Sequence, residues 1–124
     1  VSAYLRSCNL KPGYAWCGAF INWSRVSCGL PVPKNGAWAP AWFPKSKIIW
    51  SKGKGLSPAN GDVFGLYYKR LKRIGHVGFI EKWTSNSSLI QTVEGNTNAN
   101  GSREGDGVYR KYRSVNQIHF VARW

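Results

Sequence analysis

Pro12-Gly13-Tyr14-Ala15-Trp16-Cys17-Gly18-Ala19-Phe20-Ile21-Asn22-Trp23 is the stretch around which this chain is organised. A Pro-Gly turn signal leads directly into an apolar segment of helical period, with a cysteine at its start. The first-turn N–H groups of a helix have no intrahelical partners, and the macrodipole adds positive potential there. Both favour a thiolate, and such sites lower a cysteine pKa from ~8.5 to between ~3.5 and ~7.5. Cys17 is therefore the candidate nucleophile.

Outward from this stretch, the N-terminal half reads as helical. Residues 1–10 have the partial i, i+3, i+4 spacing of a short amphipathic helix, ended by Lys11-Pro12-Gly13. A second helix is predicted from Ala15 to Cys28. Trp16, Ala19, Phe20, Trp23 and Val26 share its apolar face, and Gly29, Pro31 and Pro33 stop it. A short helix interrupted by Pro44 is expected within 39–52. Beyond the turn signal Ser57-Pro58-Ala59-Asn60-Gly61 the pattern changes to strands: 62–68, 75–83, 89–94, 108–112 and 118–124. Short connections predict an antiparallel meander, and helices followed by strands make the class α+β. The expectation is one domain over residues 1–124, with N-terminal helices packed on a roughly five-stranded antiparallel sheet. A first residue of Val rather than Met marks a processed end, an expression boundary or a cut from a longer protein.

Composition narrows the chemistry. A chain of 124 residues with 43% hydrophobic content suits one folded domain. Eighteen Lys and Arg against five Asp and Glu give a net charge of +13, which attracts polyanions such as nucleic acid, anionic lipid or acidic envelope polymers. Five scattered carboxylates argue against a cage for calcium or magnesium. Cys8, Cys17 and Cys28 lack zinc-site spacing and have no nearby His, so no metal or other cofactor is expected. Cys28 would lie ~16 Å along the second helix from Cys17, so free thiols are expected. No apolar run reaches the ~18 residues of a membrane span.

A thiol nucleophile needs a base, and the chain has two histidines. His76 opens a predicted strand in Gly75-His76-Val77-Gly78-Phe79, where the glycines keep the backbone uncrowded. His119 alternates with Ile118 and Phe120 and reads as a surface position. A catalytic imidazole also needs an acceptor on its second nitrogen. Glu94-Gly95-Asn96 supplies two candidates, which share a face if the strand stays extended. Tyr14, Trp16, Trp38 and Trp42 are candidate walls of a substrate groove. A different reading of the same charge is a basic nucleic-acid-binding domain without catalysis, using Lys69–Arg73 and Lys52–Lys54 on phosphates.

Trp16-Cys17-Gly18-Ala19-Phe20, Gly61-Asp62-Val63, Gly75-His76-Val77-Gly78-Phe79 and Glu94-Gly95-Asn96-Thr97, in that order, resemble the cysteine, histidine-dependent amidohydrolase/peptidase (CHAP) family of papain-like NlpC-type hydrolases. The resemblance implies a papain-like fold, Cys17 as nucleophile, His76 as base, and Glu94 and Asn96 as the further catalytic residues. It implies cleavage of a peptidoglycan amide bond, as an N-acetylmuramoyl-L-alanine amidase or a stem or cross-bridge endopeptidase. The role would be that of an endolysin or another antimicrobial or wall-remodelling enzyme. A monomer that is secreted, periplasmic or wall-associated, with anionic wall polymers as charge partners, completes the expectation. Some relatives carry a calcium site of acidic residues before the nucleophile. This chain has no Asp or Glu before Asp62, so that site is not carried over.

Overall fold

The computed structural model describes residues 17–84, 88–97 and 107–124. The predicted helix over 1–10, and Tyr14 and Trp16, lie outside the described residues.

The central helix, α1, spans Cys17–Ser27. Gly29, at φ 71°, ends it with a Schellman motif: Leu30 N–H donates to Arg25 C=O (2.9 Å) and Gly29 N–H to Val26 C=O (3.0 Å). The buried face differs from the predicted stripe. Cys17 to Asn22 and Arg25 are buried, while Trp23 and Val26 are exposed. The N-terminal half of α1 is enclosed on both sides, by the sheet and by the segment preceding the Ala39–Trp42 3₁₀ turn. A Cβ on Gly18 would lie 2.6 Å from the carbonyl oxygens of both Gly36 and Ala37, so only glycine lets that segment approach.

Seven strands follow: β1 (Ile48–Ser51), β2 (Lys54–Gly55), β3 (Val63–Tyr68), β4 (Arg73–Lys82), β5 (Leu89–Thr97), β6 (Gly107–Ser114) and β7 (Phe120–Ala122). The α+β class stands, with a larger sheet than the five strands expected. The predicted helix within 39–52 is replaced by the 3₁₀ turn and by β1 and β2. Ile48-Ile49-Trp50 is a β-forming run, and Lys52-Gly53 closes it into a hairpin with both residues at positive φ.

The order β2-β1-β7-β3-β4-β5-β6 corrects the simple meander. Strands β3 to β6 do run as antiparallel neighbours, but β7 leaves β6 and inserts between β1 and β3. Asp62 helps anchor it there. Its carboxylate accepts two hydrogen bonds from Arg123 (2.9 and 2.8 Å) and one from Ala59 N–H (2.8 Å).

Two apolar clusters hold the layers. One joins Phe20, Ile21, Trp42, Phe43, Val63 and Val77 beneath α1, with Phe20 packed edge-on against Phe79. The other gathers Trp50, Phe64, Leu66, Ile80, Ile90 and Val121. From Val77 onward β4 alternates between them, Val77 and Phe79 to the first and Ile80 to the second, as the strand period requires.

Candidate active site

Three elements converge on one buried group of side chains: the start of α1, the first half of β4 and the end of β5. Cys17, His76 and Glu94 are 5%, 3% and 0% exposed. They form a linear chain. The thiol of Cys17 is hydrogen-bonded to His76. His76 Nε2 lies 2.7 Å from Glu94 Oε1.

The carboxylate sets the tautomer of the imidazole. An ionised Glu94 can only accept, so Nε2 carries the hydrogen and donates it, which leaves Nδ1 for the thiol. Glu94 is held ionised by more than the imidazole. Arg113 of β6 donates through Nε to Oε2 (2.6 Å) and through Nη2 to Oε1 (2.6 Å). Thr92 Oγ1 donates to Oε2 at 2.6 Å. A carboxylate has about four acceptor sites, and all of them are filled here. Burial pushes the Glu94 pKa up, but the hydrogen bonds and charges of Arg113 and His76 outweigh it and hold the group well below the usual carboxylate range.

Gly78 makes this geometry possible. It follows His76 by two residues on the same face of β4. A Cβ there would meet Phe64 at 2.6 Å and Glu94 Cγ at 2.9 Å. The missing side chain is the space through which Glu94 reaches the imidazole.

The electrostatics couple the thiol and the imidazole. Burial alone would raise the Cys17 pKa. The hydrogen bond and charge of His76, then the backbone N–H groups of Val77 and Gly18, reverse this and leave it below the ordinary thiol value. Burial pulls His76 down, but its bonds to Cys17 and Glu94 and their negative charges carry it up to about 9. The thiol is thus shifted toward thiolate and the imidazole toward imidazolium, with the Glu94 carboxylate and the Arg113 guanidinium next in line. The helix start, on which the sequence argument rested, acts on the thiolate through Gly18 N–H and ranks behind His76.

A family model described as CHAP domain matches residues 9–96, more than half of the chain. The chain belongs to the CHAP family. None of the curated proteins and none of the solved structures compared with it matches. The CHAP family is one of amidases and peptidases associated with peptidoglycan, and the matched span contains Cys17, His76 and Glu94.

Other candidates of this CHAP chain are placed differently. The backbone of Asn96 belongs to β5, where the register shifts between Gly95 and Thr97. Its side chain lies outside the described residues. Trp38 is half-exposed in the segment that packs on the helix start. Trp42 does not line a groove. It is fully buried, its Nε1–H donates to Gly36 C=O (2.8 Å), and Trp124 packs edge-on against it. An aromatic-rich, proline-rich stretch reads as a wall, but here it plugs the first cluster. His119 precedes β7 rather than lying within it and is half-buried, stacked on Tyr67 at 5.1 Å between centroids.

Arg113 and Thr92 complete the site without standing out in the sequence. Alternation from Glu94 back to Thr92 was available as a signal. Nothing local marks Arg113 among the other basic residues of β6. Asp62, Glu81 and Glu94 are each held by an arginine, Arg123, Arg110 and Arg113. Cys17 and Cys28 carry free thiols, and Cys8 lies outside the described residues. Among the described residues no helix is long and apolar enough to cross a membrane.

Proposed function

We propose that this protein hydrolyses an amide bond of peptidoglycan through a Cys17 thioester, as a muramoyl-L-alanine amidase or a stem or cross-bridge endopeptidase. The observation that carries the reading is the buried Cys17–His76–Glu94 chain, with a lowered thiol and a raised imidazole, in a member of the CHAP family.

The thiolate attacks the amide carbonyl and the C–S bond forms. Charge on the carbonyl oxygen is met by the Cys17 N–H at the helix start and a neighbouring donor, a contribution of ~3–4 kcal/mol per donor in a comparable hydrolase site. Imidazolium Nδ1–H passes its proton to the departing amine as the C–N bond breaks. Neutral His76 then takes a proton from water, which cleaves the thioester and returns the thiolate. Glu94 holds the imidazole in orientation through both steps, and Asn96 gives further polar support. Such a substrate implies a secreted, periplasmic or wall-associated enzyme, working as a monomer. The charge of +13 keeps it on anionic wall polymers.

The test is digestion of purified peptidoglycan followed by mass spectrometry of the muropeptides. New termini appear at one amide bond with the wild type and are missing with Cys17→Ala. Undiminished release by Cys17→Ala defeats the proposal. Wall lysis is also expected to fall steeply with added salt, while cleavage of a small soluble muropeptide does not.

A further inference from the structure

A cleft of about 830 Å³, lined by none of Cys17, His76 and Glu94, opens beside the β1–β2 turn. Its size lies within the ~300–1,000 Å³ of small-ligand sites. Its walls are Lys52 from that turn, Tyr67 and Lys69 from the end of β3 and just beyond it, and Asn116, Gln117 and His119 from the segment leading into β7. Trp50 and Ile118, both buried, add an apolar lining.

The charged groups offered here are cationic. Lys52 and Lys69 present ammonium groups. Gln117 spends its side-chain oxygen on Ser114 N–H (3.0 Å), so the part it has left to offer is its NH₂. Among the described residues no carboxylate side chain lines the cleft, and Asp62, Glu81 and Glu94 are each held by an arginine elsewhere. None of these carboxylates matches the positive charge of the cleft. The His119 imidazole registers it: burial and then the charge of Lys52 hold it below its usual value. Tyr67 stacks on His119 at an interplanar angle of 28°, so the two rings cover each other and do not splay to sandwich a base.

We propose that this cleft binds a phosphodiester-linked polyol or sugar chain, the acceptor-rich anionic class of polymer present in bacterial walls. Lysines meet the phosphates as point charges, and the carboxamides of Asn116 and Gln117 meet the hydroxyls. The choice of a wall polymer rests on the peptidoglycan reading above. It assigns to one cleft an attraction that net charge alone would spread over the whole surface.

The two histidines make the test direct, because imidazole resonances separate His119 from His76. The wild-type protein is titrated at low salt with a glycerol-phosphate oligomer, with inorganic phosphate, and with a single-stranded oligonucleotide of equal charge. The oligomer is expected to shift the His119 resonances and raise the His119 pKa, since a bound anion favours imidazolium, with His76 unmoved. Lys52→Gln/Lys69→Gln, with an unchanged thermal midpoint, is expected to weaken the apparent affinity at least tenfold. A silent His119, or a double variant that binds as tightly as wild type, overturns the proposal. An equal response to inorganic phosphate at the same phosphate concentration reduces the cleft to a free-anion site and overturns the polymer assignment. Equal or tighter binding of the oligonucleotide overturns it in favour of nucleic acid. The oligomer contains no amide bond, so binding is read without turnover. Failure here leaves amide hydrolysis standing, and failure of the muropeptide assay leaves this result standing.

Discussion

Arg113 grips both oxygens of Glu94, at 2.6 Å each, from the neighbouring strand β6. The contact is 13% exposed on the arginine side and fully buried on the glutamate side. It sets a guanidinium against the buried carboxylate that faces the His76 imidazole.

Removing the guanidinium takes a positive charge away from three coupled groups. Each then holds its proton to higher pH. Arg113→Met is expected to move the acid limb of Cys17 alkylation toward alkaline pH, with Arg113→Lys restoring part of the shift. It also strands a buried carboxylate, for a stability loss of ~3–5 kcal/mol. Iodoacetamide rates against pH and denaturant unfolding read the two effects. A stability loss with an unmoved acid limb would make Arg113 purely structural.

Cys17 is expected to react faster with iodoacetamide than Cys28 or Cys8 at neutral pH, because its pKa lies below the ordinary thiol value. Without His76 its hydrogen bond and charge, the two largest lowering effects, are gone and the thiol pKa rises. His76→Ala should therefore slow Cys17 alkylation by ~10²-fold or more at pH 7. Peptide mapping after timed labelling assigns each rate to its cysteine. Turnover should decline on the alkaline side as His76 titrates, at about 9.

Gly78→Ala tests the space behind the carboxylate. The new methyl would overlap Phe64 and Glu94 Cγ. Overpacking of this kind costs ~1–3 kcal/mol. Because the displaced group orients His76, activity should fall together with the thermal midpoint. Full activity at a lowered midpoint would show that the carboxylate tolerates displacement.

Glu94 also sets a pH dependence of stability. Its folded pKa is depressed, so its contribution is present above its unfolded value of 4.5 and lost as pH falls through the folded value. Glu94→Gln removes this contribution. The stability gap between wild type and variant should narrow as pH falls below about 4.5, measured by denaturant unfolding at successive pH values. Turnover of the variant should fall by ~10²-fold or more at neutral pH, since a carboxamide cannot accept from Arg113, Thr92 and His76 together.

The sequence by itself determined the local elements and the reactive residue types. The Pro-Gly break, the apolar period after it and Gly29 are enough for α1 beginning near Cys17. The β-branched and aromatic runs around Gly65 and Gly78 are enough for β3 and β4, and Gly75-His76 and Glu94 stood out as partners for a thiol. These signals are short-range: capping, turn chemistry and side-chain period act within a few residues. Only the tertiary structure decided the rest. Strand β7 sits between β1 and β3, Trp42 is core rather than wall, and Arg113 is picked out of a basic strand to clamp Glu94. Each depends on which strands pair and in what register, a choice made by burial and hydrogen bonding between residues far apart in the chain. Many basic side chains look alike along the sequence. One of them is singled out because a buried carboxylate has two oxygens to fill and a guanidinium has the shape to fill them.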